Sequence, residues 1–228
     1  MPWRRHRRSS SRLSPADQAT AWQVVSLLLD HPDETLVERV PMLTDAVAGL
    51  PDDVRMPLSR FLARLSTVDL GELQGDYVDT FDVTRRCCLH LTYYLHGDTR
   101  KRGMALLVLK QRYRAHGLRL ADGELPDLLP VVLEFAATVG PGDGEAPLRQ
   151  HRQGVELLRT ALHETRTPYA AVLDAVCDVL PELTDEDRAA IAALAFDGPP
   201  VETVGLDTVG LGPDLSPYPA CSSAEVSR

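Results

Sequence analysis

Aromatic residues fill only 5% of the 228 positions, and no stretch alternates apolar and polar residues for long enough to mark a strand. Without such alternation, or an Asn-Gly or Asp-Gly turn between β-branched runs, sheet architectures are excluded. Cysteine is equally sparse at four residues, two of them neighbours. Adjacent cysteines seldom bridge each other, so no disulfide framework is expected and a reducing compartment is the simpler setting. No run approaches the roughly 20 apolar residues of a membrane span. No glycine-rich strand-to-helix loop offers a phosphate cradle. What remains is a chain with 44% hydrophobic and 25% charged residues, many of the former Ala and Leu, which leans helical.

The net charge of -9 is unevenly spread. Residues 1–12 carry five arginines and no acid, and residues 85–119 carry nine cations against Asp98 alone; these segments contribute +5 and +8 and leave -22 on the rest. An acidic body of this kind repels phosphate backbones and argues against a DNA-binding regulator built on the Arg100–Arg119 region. The opening MPWRRHRRSSSRLS has the charge of an export signal, including a twin arginine, but the apolar stretch after it is broken by Gln23 and Ser26. It is read as a disordered basic tail, residues 1–13.

Helix signals then follow one another. Ser14-Pro15-Ala16-Asp17 combines an N-cap, a proline at the first helical position and a carboxylate three residues after the cap. Further helices are expected over about 33–48, 51–65, 69–81, 85–95 and 99–116, after Pro126, over 146–164, from Pro168, and after a cap at Thr184. The sixth, with Asp98 as its cap, has a centre apolar on every side (Met104 to Leu109), which predicts a helix buried as the hub of the core. The expected fold is all-α: one bundle of about nine or ten helices over residues 14–196. Residues 197–228, rich in Pro and Gly, are read as a tail of low order.

The densest chemistry lies in RRCCLHLTYYLHGDTRKRG, residues 85–103. On a continuous helix Cys87 and His90 would share a face while Cys88 points about 100° away, a spacing unlike any common zinc pattern. A metal-binding or redox-sensing protein using Cys87, Cys88 and His90 is therefore the competing reading, and thiols packed as small hydrophobes the plainer one. No catalytic residue is assigned. Asp76, Asp79 and Asp82 form an acidic stripe expected to pair with the basic ends of the sixth helix. Asp127 and Glu134, seven residues apart, are expected on one helix face about 10 Å apart, with Asp127 compensating the helix dipole and Glu134 in a polar lining or ion pair.

Two segments together, Tyr77 to Leu118 and ELPDLLPVVLEFAA (Glu124 to Ala137), resemble the NarJ family of nitrate reductase delta-subunit assembly chaperones. The resemblance implies a cytoplasmic, all-helical chaperone with no cofactor of its own, no nucleic-acid partner and no stable membrane association. Its expected partner is the catalytic subunit of respiratory nitrate reductase, bound by its N-terminal peptide, held for insertion of the molybdenum cofactor and delayed from docking at the membrane. By motif, Glu124, Pro126, Asp127 and Glu134 occupy the family's acid-Leu-Pro-Asp and Leu-Glu-Phe positions. Leu128 departs from it, standing where the family usually has a histidine. A helical peptide would lay its apolar face in an interhelical groove. Tyr77 and Phe81, one turn apart, are the candidate lining with Tyr93 or Tyr94, and Asp76, Asp79 and Glu134 the candidate partners for basic residues of the peptide.

Overall fold

Eleven α-helices account for most of residues 13–200, the part of the chain that the computed structural model describes. They are α1 (Pro15–Leu28), α2 (Glu34–Ala48), α3 (Asp52–Leu65), α4 (Leu70–Tyr77), α5 (Leu91–His96), α6 (Arg100–Ala115), α7 (Leu129–Val139), α8 (Ala146–Gln150), α9 (Arg152–Glu164), α10 (Tyr169–Val179) and α11 (Asp185–Asp197). A π-helical turn, Val78–Val83, continues α4, and a 3₁₀ turn, Arg85–Cys87, precedes α5. The all-α expectation holds among the described residues. The basic segment 1–12 and the Pro/Gly-rich residues 201–228 lie outside them.

Locally coded helix starts are where the sequence placed them. Ser14 caps α1 by accepting from the Asp17 amide at 3.1 Å, and Asp33 caps α2 by accepting from Leu36. Thr184 and Asp187 form a reciprocal capping box at α11. Such side chains satisfy amides that have no partner inside the helix. The main core gathers α1, α3, α7 and α10, with α1 lying along α7 and α10 along α3. Trp22, Leu28, Leu58, Leu133 and Leu173 have almost no exposed surface there.

Three expectations give way. The predicted fifth helix is interrupted: after the 3₁₀ turn, Cys88 to His90 run extended and pair with the chain before α7, Leu129 N–H donating to Leu89 O at 2.9 Å and Leu91 N–H to Asp127 O at 3.0 Å. Long-range pairing outweighs local helix propensity there, so Cys87 and His90 do not share a helix face. The predicted eighth helix is two, α8 and α9, divided at His151.

The third correction concerns α6. It is a peripheral helix and not a hub: Leu109 and Tyr113 are buried against Phe135 in a small separate cluster, while Met104, Leu107 and Val108 are 63%, 44% and 53% exposed. Its all-round apolar centre reflects composition, and only one side finds a neighbour. Its N-cap is Thr99, without a side-chain cap bond, and Asp98 instead accepts from Arg102 at 3.1 Å.

Trp22 on α1 carries the largest fully buried side chain of the core. Replacing it with Ala should cost about 3–5 kcal/mol of stability. Urea unfolding should show this as a lower midpoint with an unchanged slope.

Candidate functional site

Asp127 is completely buried just before α7, and it is not on that helix, whose N-cap is Leu128. The expectation that Asp127 and Glu134 share a helix face is thereby corrected: one carboxylate is interior and the other is exposed on α7. The side chain of Asp127 turns toward the extended segment Cys88 to His90, a strap between the 3₁₀ turn and α5. His90 Nδ1 lies 3.1 Å from its Oδ1, Thr92 Oγ1 donates to Oδ2, and Arg102 Nη2 approaches Oδ2 at 3.6 Å. Burial pushes the Asp127 carboxyl up, but hydrogen bonds from His90 and Thr92 and the nearby His90 and Arg102 charges outweigh it and hold the group below the usual carboxylate range. Its role as compensator of the α7 dipole is replaced by that of a buried anchor between the strap, α5 and α6. Pro126 is buried beside it, its carbonyl accepting from Tyr113 Oη at 2.6 Å, whereas Glu124 is exposed and accepts from the Ala121 amide.

The remaining candidates separate into two regions. Tyr77 and Phe81 belong to an aromatic cluster with Phe61, Tyr169 and His31, ring centroids 4.8 to 6.0 Å apart. Phe81 is only 8% exposed, and the half-buried Tyr77 donates to Leu29 O at 3.4 Å. Burial, reinforced by Asp30 and Asp82, pushes the Tyr77 phenol up to about 12. Asp76 is ion-paired with Arg64 of α3 and not with α6, which corrects the expected pairing of the acidic stripe; Asp79 is exposed.

Tyr93 and Tyr94 lie elsewhere, in a cleft of about 670 Å³ between α5, α9 and the end of α11. Leu157 and Ala161 of α9 and Leu194 of α11 supply further apolar lining. Gly154 lets α9 approach α5 closely, since a Cβ there would meet Tyr94 Cδ2 at 3.0 Å and Leu91 O at 3.2 Å. Tyr94 Oη sits 2.9 Å from the carbonyls of both Arg86 and Cys88, tying α5 to the strap. Two ion pairs stand at the cleft edge, Arg86 with Glu164 at 2.7 Å and Arg85 with Asp98 at 3.9 Å. The far wall is Gly198 to Pro200, which returns to Gly97 so closely that a Cβ there would lie 1.8 Å from Pro200 O. With φ at +55°, Gly97 also has a backbone suited to glycine. Leu157, Ala161 and Leu194 were not singled out in the sequence; α9 is the most amphipathic helix by pattern, and its apolar stripe was the available signal.

The competing metal or redox reading finds little chemistry. Cys87 is buried in the core and Cys88 half-buried, and burial pushes both thiols up, away from the thiolate. Among the described residues no group of three or more His, Cys, Asp or Glu side chains is placed to hold an ion.

Comparison with known proteins places this arrangement. Residues 48–175 match the model of the nitrate reductase delta subunit family. The chain belongs to that family. It is 33% identical to the nitrate reductase molybdenum cofactor assembly chaperone NarJ of Escherichia coli K12 over 182 residues, 78% of this chain and 77% of NarJ. It is 40% identical to the nitrate reductase-like protein NarX of Mycobacterium tuberculosis over 165 residues, 71% of this chain and only 25% of NarX. A solved structure from Archaeoglobus fulgidus, provisionally assigned as a redox enzyme maturation protein, aligns with a TM-score of 0.53 at 23% identity. It covers 69% of this chain and 90% of the other and supports the fold alone.

Two titrations should be measurable. Because the folded-state carboxyl of Asp127 is depressed, its stabilisation is complete above the ordinary carboxylate value and lost as pH falls through the lower folded value. Asp127→Asn should lower stability at neutral pH by about 1–3 kcal/mol and flatten the decline below about pH 4. His151, whose ring nitrogens are both buried without a hydrogen-bond partner, is pushed down to about 4 by burial and by His96. The unfolded chain then binds the extra proton first, so stability should fall by on the order of 2 kcal/mol as pH drops from about 6.5 toward 4. His151→Leu should remove that slope in pH-dependent urea titrations.

Proposed function

We propose that this protein is an assembly chaperone for a respiratory nitrate reductase. In this reading it binds the N-terminal segment of the catalytic subunit, holds that subunit receptive to the molybdenum cofactor and delays its docking at the membrane. Family membership supports the general role, together with the description of the E. coli relative as a molybdenum cofactor assembly chaperone. The observation that carries the binding mode is the apolar cleft holding Tyr93 and Tyr94, walled by helices on two sides. A client helix would seat one or two apolar anchors at one-turn spacing between α5 and α9, with the rest of its length along the rim. Glu164 and Asp98 could exchange their arginine partners for cations of the client, whereas the exposed Asp79 and Glu134 are not among the residues that line the cleft.

Tyr77 and Phe81 contribute here through the fold, since both pack in the aromatic cluster; a double Ala variant would lose stability together with any binding. Tyr93 is the cleaner probe, being half-buried with its ring at the cleft. Tyr93→Ala and Leu157→Asp should each weaken calorimetric binding of a synthetic N-terminal peptide of the catalytic subunit by about tenfold or more, with circular dichroism unchanged. Wild-type affinity in both folded variants would remove the cleft from consideration. Affinity capture from nitrate-grown cells should recover the catalytic subunit, and failure to recover it would overturn the client assignment itself.

A further inference from the structure

The outward side of α6 is not used by the cleft, and it joins exposed apolar side chains to a run of cations. Its sixteen residues, RKRGMALLVLKQRYRA, contain six cations and no acid, on a chain whose formal charge is -9. Helical spacing sets Leu107, Met104 and Val108 side by side along the outer face, with Lys110 and Arg114 on one flank and Lys101 on the other. All six of these side chains are exposed. The opposite side is locked inward by Leu109, by Tyr113 with its ring tilted against Phe135 at a centroid distance of 4.5 Å, and by Arg102 turned toward Asp127. The helix therefore cannot roll its apolar residues out of water.

We propose that this face of α6 makes a reversible contact with an anionic lipid surface. Three exposed apolar side chains on a convex ridge fall far short of the roughly 800 Å² per partner of a stable protein interface. They suit shallow insertion among lipid headgroups, where lysines and arginines on the flanks reach back to the phosphates. The acidic remainder of the chain orients the molecule, because an anionic surface attracts α6 and repels the other faces. The contact is weak and salt-dependent, which separates it from stable membrane anchoring.

The full chain should co-sediment with vesicles of equimolar phosphatidylglycerol and phosphatidylcholine at low salt, much less with phosphatidylcholine alone, and release as salt is raised. The double variant Lys101→Glu, Lys110→Glu should lower partitioning by about tenfold or more. The triple variant Met104→Ser, Leu107→Ser, Val108→Ser should lower it several-fold, and since these side chains are exposed, all variants should keep wild-type helicity and urea midpoint. In wild type, vesicles should slow hydrogen exchange in α6. Absence of binding, equal binding to neutral vesicles, or binding that both variants leave intact would overturn the proposal, the last pointing to the arginines of residues 1–12. Loss of self-association or of peptide affinity in these variants, with vesicle binding unchanged, would equally overturn it in favour of a protein partner.

Discussion

A single buried charge organises the outer half of this molecule. Removing a carboxylate from water costs several kcal/mol unless hydrogen bonds and counter-charge offset it, and Asp127 obtains both from residues that are distant in sequence. His90 reaches it only because residues 88–90 abandon the helix and run extended; Thr92 reaches it from the first turn of α5; Arg102 reaches it from the first turn of α6. Satisfying that carboxylate thereby sets where the strap lies, where α5 begins and which side of α6 faces inward. The placement of Tyr93 and Tyr94 follows, since both belong to the short helix that this anchor positions.

Two regions of different character result. The apolar side chains between α1, α3, α7 and α10 are almost completely buried, as a scaffold requires. At α11 the packing is looser: none of residues 185–196 is buried, Phe196 is 90% exposed, and α11 rests mainly on α9. A cleft bordered on one side by so lightly held an element suits partners that are taken up and released, because the wall that must yield contributes little to the stability of the whole.

Features that depend on neighbours in sequence were legible from it. The caps at Ser14, Asp33 and Thr184 are local hydrogen bonds, and the helical class followed from spacing alone. Features that depend on distant partners were not. Nothing within residues 85–95 reveals that Leu89 and Leu91 will pair with residues 127–129, so a continuous helix was the reasonable reading. The apolar centre of α6 looked like a buried hub because periodicity reports which residues are apolar and not how many neighbours arrive to cover them. Tyr77 and Phe81 were placed one turn apart by their spacing, which gives no sign of the aromatic cluster that Phe61 and Tyr169 complete around them. For Asp127 the family motif marked the position, while the reason for an acid there emerged only with His90, Thr92 and Arg102 around it.

The π turn at Val78–Val83 has its own bearing on how this chain can vary. Such a turn holds one residue more than the α-helical geometry it interrupts, so it stores a spare unit of length between Tyr77 at the end of α4 and the strap, with Phe81 of the aromatic cluster inside it. Loss of one residue there could be absorbed by tightening the coil, leaving both ends in place. The same loss in the middle of α3 or α10 would rotate half of a core helix by about 100° and turn its apolar stripe toward water. Among descendants of this sequence, changes in length should therefore collect at that turn.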